Sequence, residues 1–173
     1  MSAFKTGWYV IYTKNRHERK VAQQLERAGV EYFLPCINAV RQWYDRKKIV
    51  SVPLFPSYIF VKIKEVRSYL ASVDLDGVLY FLKTGKEMAS VKEELITSIR
   101  LIVNNCREVE VSAELFNVGK RMVISDGPFT GLQCEVVEHM GNEKILVKVA
   151  ILNRNILVKH AIDQLLPVEA CRC

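Results

Sequence analysis

Catalysis, metal binding and redox chemistry each need particular side chains within reach of one another, and this sequence of 173 residues offers few such sets. The three histidines, His17, His139 and His160, fall in separate segments. The cysteines, Cys36, Cys106, Cys134, Cys171 and Cys173, are odd in number and scattered. Only Cys171-x-Cys173 is closely spaced, and no second pair or neighbouring histidine completes a tetrahedral site around it. The cysteines therefore read as reduced thiols. No Gly-x-Ser-x-Gly elbow or phosphate-cradling glycine loop occurs, and neighbouring acids such as Glu93 and Glu94, or Glu108 and Glu110, read as solvated charge. The expectation is a binding protein and not an enzyme, with no metal and no cofactor.

What does recur is chemistry for gripping partners. The net charge of +6 is unevenly placed: residues 1–64 hold 12 Lys+Arg against 4 Asp+Glu, whereas residues 111–173 hold 7 of each. A local excess of that density suits an anionic partner, with nucleic acid first and a membrane surface second. Lys14, Arg16, Arg19 and Lys20 open a segment in which Val21, Ala22, Leu25 and Ala28 keep helical spacing. At about 100° per residue, Arg16, Arg19, Lys20, Gln23 and Arg27 fall within an arc of roughly 100° on the side away from Val21 and Leu25. Asp45-Arg46-Lys47-Lys48 looks like a basic hairpin tip. Contacts from such residues to phosphates give salt-sensitive affinity without sequence information.

The other gripping feature is Pro53-Leu54-Phe55-Pro56-Ser57-Tyr58-Ile59-Phe60-Val61. Two prolines three apart cannot both donate to a sheet ladder, so a corner presenting Phe55 and Pro56 is expected at a strand entrance. From Tyr58 the chain alternates, placing Tyr58 and Phe60 on one face and Ile59, Val61 and Ile63 on the other. One face must pack on helices. Whether Phe55, Tyr58 and Phe60 are ordinary core or a docking surface is left open by the residues alone.

The elements that would position these groups follow from periodicity. Trp8–Thr13 reads as a buried first strand. His17–Ala28 reads as an amphipathic helix with Gly29 as its stop. Tyr32–Ala39 and Arg41–Val52 read as two strands, or as one irregular hairpin arm, leading into the corner. After Lys64, Val66, Tyr69, Leu70 and Val73 space a short helix, and Val78–Lys83 a strand closed by Thr84-Gly85. Ser90-x-x-Glu93 reads as a capping box for a last helix carrying Leu95, Ile96, Ile99, Ile102 and Val103 on one face. The order predicts an α/β sandwich of the split βαβ kind.

Periodicity lapses from Asn104 to Phe116, which predicts a linker at 108–117 between domains at 1–107 and 118–173. Beyond it, Arg121–Ile124, Cys134–His139, Ile145–Leu152 and Ile156–His160 read as short strands separated by Gly and Asn turns, the pattern of a small antiparallel barrel. The fold class expected is α+β. Half of the residues are hydrophobic, no run reaches the roughly 18 apolar residues of a membrane span, and the first residues lack an apolar signal core. A cytoplasmic location follows as an expectation.

Trp8-Tyr9-Val10-Ile11-Tyr12, Leu54-Phe55-Pro56-Ser57-Tyr58-Ile59-Phe60-Val61, Gly77-Val78 and Val123-x-x-Asp126-Gly127-Pro128-Phe129-x-Gly131, in that order and spacing, resemble the NusG family of transcription elongation factors. The first two belong to its N-terminal NGN domain and the last to its C-terminal KOW domain, an SH3-like barrel. The short length, the basic start and the Leu54–Tyr58 form are more similar to specialised paralogues of the RfaH and UpxY type. The resemblance implies a monomer that rides on elongating RNA polymerase, nucleoid-associated through it, and suppresses pausing and termination at particular operons, among them surface-polysaccharide operons.

By that resemblance, Phe55, Pro56 and Tyr58, with Tyr12 and Ile96, dock on the clamp helices of the largest catalytic subunit of polymerase. Lys14, Arg16, Arg19 and Lys20 contact the non-template DNA strand. The KOW domain reaches a small-subunit ribosomal protein or Rho. Two features depart from the family pattern. Ser68-Tyr69-Leu70-Ala71 stands where specialised members carry a polar patch for the polymerase gate loop, and Cys134 stands where most members have glycine. A small buried residue is expected at Cys134, in preference to a redox group. Refolding of the second domain into helices is not expected, because Val, Ile and turn residues favour strands there. The competing roles are the housekeeping elongation factor and, from another class, a ribosome-associated KOW protein that binds structured RNA.

Overall fold

In a computed structural model, described for residues 5–42, 47–105, 109–112, 120–125, 130, 132–139, 142–158 and 165–167, the chain divides into two units, residues 1–96 and 97–173. Several expected features lie outside the described residues: Asp45 and Arg46 of the hairpin tip, Asp126-Gly127-Pro128-Phe129 and Gly131 of the second-domain motif, His160, Cys106, Cys171 and Cys173.

The first unit is built around β1 (Gly7–Thr13), whose residues Trp8–Ile11 are all buried. Continuous burial requires cover on both faces, and β1 is also paired along both edges. On one side it runs antiparallel to β5 (Tyr58–Ile63), from Gly7 opposite Ile63 to Tyr12 opposite Tyr58. On the other it meets β6 (Val78–Phe81) and the short β9 (Ser90–Val91), with the small hairpin of β7 (Lys83–Thr84) and β8 (Glu87–Met88) between them in the chain. β2 (Tyr32–Phe33) extends the sheet beyond β5. Alternation then sorts the side chains. Tyr9, Ile11, Ile59, Val61, Ile63 and Phe81 form one cluster with Val21 and Leu25 of α1 (Glu18–Arg27), while Trp8, Val10, Tyr12, Tyr58 and Phe60 alternate with them.

α1 ends where the sequence predicts. Gly29 takes φ +67°, and its N–H bonds Glu26 O, a left-handed stop that glycine adopts without strain. A second glycine is demanded by space. At Gly77, with φ +102°, a Cβ would lie 3.0 Å from the His17 side chain and 3.1 Å from Val21, so only glycine lets the turn before β6 approach α1 this closely.

Three local expectations are corrected. The run Tyr32–Ala39 breaks after Phe33, and the chain leaves the sheet as a separate ribbon of β3 (Cys36–Gln42) and β4 (Lys47–Pro53), the hairpin-arm alternative. The capping box does not form. Pairing with Trp8 and Tyr9 draws Ser90 and Val91 into β9, so α3 (Glu93–Asn105) starts at Glu93, which instead accepts the Trp8 Nε1–H at 2.8 Å. In α2 (Val66–Val73) the apolar spacing does not define the inner face: Tyr69 packs 5.1 Å from Phe81 and Ser72 is buried, while Val66 and Leu70 point to solvent.

The second unit contains a six-stranded antiparallel sheet of β10 (Val109–Ser112), β11 (Lys120–Ile124), β12 (Gln133–His139), β13 (Asn142–Val149), β14 (Arg154–Val158) and β15 (Leu165–Pro167). Across the sheet the order is β10-β14-β13-β12-β11-β15. The four central strands are those expected, except that the third ends at Val149: Ala150–Leu152 form a 3-10 turn, and Asn153 in the left-handed conformation leads the chain into β14. Consecutive burial at Ile145-Leu146-Val147 and Ile156-Leu157-Val158 means both faces of these strands are covered, as in a small sheet curled on its own core. The expected linker is corrected in part. Val109–Ser112 pair with β14 from Val109 opposite Val158 to Ser112 opposite Asn155, so ladder bonds impose strand on a segment whose side chains lack periodicity.

Candidate functional site

The site grows from the C-terminal end of β1. Register places Tyr12 between Tyr58 of β5 and Tyr80 of β6, so three tyrosines from three adjacent strands stand side by side. The Tyr12 ring lies 5.1 Å from that of Tyr58, tilted, and 5.1 Å from that of Tyr80, stacked. Tyr12 and Tyr58 are half-buried, and Tyr80 is 55% exposed beside Leu79 at 49%. A row of this kind offers apolar area with hydroxyls at its rim, and its rotamers are already restrained by contact. That is the chemistry of an aromatic protein-docking surface.

The adjoining corner is held by α1. Ser57 sits in the left-handed region at φ +67°, a conformation costly for a residue with a Cβ. Its N–H donates to Glu18 Oε1 at 2.7 Å, its carbonyl accepts the Thr13 N–H at 2.8 Å, and the Tyr58 N–H closes on Phe55 O at 3.2 Å. Glu18 is 5% exposed, in the first turn of α1, where the helix dipole favours a carboxylate. One buried acid thus fixes the turn that sets Tyr58 beside Tyr12. Glu18 was missed by sequence reasoning, as were Tyr80 and Asp76. The available signal was a lone acid inside the basic run Lys14–Lys20, placed in the first helical turn.

The structure separates the expected docking residues into two groups. Tyr12, Tyr58 and the exposed Pro56 share the open surface. Phe55, 2% exposed, and Ile96, 0% exposed, are core. Phe55 turns inward to meet Phe60 edge-on at 6.2 Å, and Phe60 in turn stacks near Phe33 at 6.1 Å. The corner was expected to present both Phe55 and Pro56; Pro56 is exposed as expected, and Phe55 is not. With Ser57 left-handed, the turn directs the larger apolar side chain into the sheet.

The basic group lies at the start of α1, and its four members differ. Lys20 pairs with Asp76, Lys14 Nζ stands 3.9 Å from the same carboxylate, and Gln24 exchanges hydrogen bonds with the Asp76 backbone. The hydrogen bond and charge of Lys20, with Lys14 behind them, hold the Asp76 carboxyl below its ordinary range. Arg19 Nη2 donates to Ser51 O of β4 at 2.7 Å, which joins α1 to the ribbon. Arg16 stands exposed in a left-handed turn at φ +61°. The cluster is positive but partly neutralised, which suits polyanion contact by exposed heads.

In the second unit, Cys134 is buried in β12 with Sγ 3.7 Å from Met122 O. Burial, with Glu135 adding to it, pushes the thiol up to about 11. It is a small core residue, as expected, and not a thiolate poised for redox work.

Known proteins bear on this geometry. A structure described as "Domain interaction in Thermotoga maritima NusG" superposes with a TM-score of 0.53 at 24% identity, covering 95% of this chain and 98% of that one, a likeness of fold. The Transcription termination/antitermination protein NusG of Chlamydia pneumoniae is 28% identical over 82% of this chain and 85% of its own. That of Lactococcus lactis is 26% identical over 97% of this chain and 96% of its own. The family model described as NusG, transcription termination factor, matches residues 6–100, a stretch that carries the tyrosine row, the corner and the whole basic group. The chain therefore belongs to the NusG family of transcription termination and antitermination factors.

Proposed function

We propose that this transcription factor docks on the clamp helices of the largest catalytic subunit of elongating RNA polymerase through Tyr12, Tyr58, Tyr80 and Pro56. The single observation that carries the proposal is the half-open row of three contacting tyrosines at the end of β1. Phe55, buried in the turn next to Pro56 and Tyr58, acts as packed support of the corner, and Ile96 is core. Lys14, Arg16, Arg19 and Lys20, in the turn after β1 and the start of α1, hold the non-template DNA strand, and the second domain recruits a small-subunit ribosomal protein or Rho. Binding only the elongating form biases polymerase toward it by mass action, and pausing and termination fall accordingly.

We further propose that the protein serves particular operons, on the strength of the basic residues from Lys14 to Lys20 and the Leu54–Tyr58 form. The housekeeping role is the second reading, favoured by the names of the relatives in Chlamydia and Lactococcus. A genome-wide map of the protein beside polymerase in its native cell separates them. Occupancy confined to a few long operons, beginning near their leaders, is expected. Occupancy that tracks polymerase everywhere gives the housekeeping role, and none on chromatin removes the polymerase proposal.

A further inference from the structure

The β3–β4 ribbon has no role in the sites above. Seven residue pairs, Cys36 opposite Pro53 through Gln42 opposite Lys47, belong to a two-stranded sheet of their own. At roughly 3.3 Å per residue the ribbon is about 23 Å long, and its strands lie about 4.8 Å apart. Opposed residues share a face, so Val40 and Ile49 form an apolar pair, 66% and 68% exposed. Beyond them on the same face stand exposed Gln42 and Lys47, and before them exposed Asn38 and Ser51. Lys48 is exposed on the opposite face. Residues 36–42 and 47–53 contain Arg41, Lys47 and Lys48 and no acid, while Asp45 and Arg46 occupy the sequence between them. At the base of the ribbon, Arg19 is anchored to Ser51 O at 2.7 Å, which ties α1 to β4.

We propose that this ribbon seats in the major groove of double-stranded DNA. A two-stranded β-ribbon fits a groove about 12 Å wide, and a single strand offers no such slot. The net positive charge of the two strands matches the phosphate walls, with Lys47 and Lys48 as the phosphate contacts. The Val40–Ile49 pair, flanked by amide and hydroxyl side chains, is suited to thymine methyls and polar base edges on the groove floor. The partner is thus chemically distinct from the displaced single strand assigned to the start of α1. The inference does not depend on polymerase docking.

The test uses the full chain and fluorescence anisotropy on a labelled DNA duplex of about 24 base pairs and on one of its strands alone, across about 50 to 200 mM salt. Lys47→Glu with Lys48→Glu should weaken duplex binding about tenfold or more and reduce the salt slope by about 2, with single-strand affinity within about twofold of the parent. Val40→Thr with Ile49→Thr, which keeps strand propensity, should weaken duplex binding several-fold and leave the salt slope unchanged. If the charge reversals lower the thermal midpoint, Lys47→Gln with Lys48→Gln provides the same comparison. No duplex binding by the parent chain at the lowest salt would overturn the proposal. Equal losses on duplex and single strand would overturn it in favour of a general electrostatic patch. Unchanged duplex binding with loss of polymerase capture would reassign the ribbon to a protein contact, and unchanged binding to both would leave the lysines as guards against edge-to-edge strand pairing.

Discussion

The two units are both built on antiparallel sheets, yet they dispose of apolar surface in different ways. In the second, Lys144 pairs with Glu110 on β10 at 2.6 Å and Lys148 with Glu135 on β12 at 2.9 Å, much as Lys20 pairs with Asp76 and Lys64 with Glu31 in the first. Ile145, Leu146 and Val147 of β13 and Ile156, Leu157 and Val158 of β14 are covered on both faces. In the first, the core is equally dry around Ile11, Ile59 and Leu25, but one end of the sheet stays open as a tyrosine row, and the turn after β1 carries exposed Arg16. The lesson is that a partner surface is found where burial and neutralisation stop short, and not where residue types alone are suggestive. Phe55 illustrates this: the most docking-like side chain of the corner is core.

The contrast can be broken at four points. The largest effect belongs to Phe55→Ala, expected to cost about 3–5 kcal/mol of stability through the cavity it leaves. Denaturant unfolding measures it, and a loss under about 1 kcal/mol would mean that Phe55 is a surface residue after all. Next, Tyr12→Ala with Tyr80→Ala should weaken polymerase binding about a hundredfold, since aromatic hot spots contribute about 2 kcal/mol or more. Charge removal in the second unit by Lys144→Ala should not change that affinity. Equal effects from the two would erase the distinction between the units.

Glu18→Ala sharpens the comparison by asking what holds the open end in place. It leaves the Ser57 N–H unpaired beneath the corner and should cost about 1.5–3 kcal/mol. Polymerase affinity should fall with it at temperatures where the fold persists, because Tyr58 is released; Glu18→Gln, which keeps an acceptor, should recover most of the loss. Unchanged unfolding in Glu18→Ala would show that backbone bonds alone fix the turn.

The smallest effect concerns Cys134. Its thiol is raised from 9.0 to about 11 in the folded state. The unfolded chain therefore loses its proton first as pH rises. The associated stability is complete below pH 9.0 and is lost as pH rises toward about 11. Melting curves of the parent and Cys134→Ala should diverge at neutral pH and converge across that window. Parallel curves would remove the burial account.

Some features were fixed by local chemistry and could be read directly. Period-two alternation at Tyr58–Ile63 predicted the two faces of β5, helical spacing with Gly29 gave α1 to within a residue at each end, and the uneven charge located the basic group. These depend on near neighbours in the chain, for which sequence order is spatial order. The rest required partners distant in sequence. Tyr80 joined Tyr12 through strand pairing, Glu18 found Ser57 across 39 positions, Asp76 met Lys20 across 56, and β10 became a strand by pairing with β14. Which aromatic faced outward was set by the left-handed turn at Ser57, and that turn is stable only because a helix brings a buried carboxylate beneath it. Sequence determined the family, the elements and the sign of the charge. Tertiary structure decided which side chains remain available, because exposure depends on what the folded chain places in front of each residue.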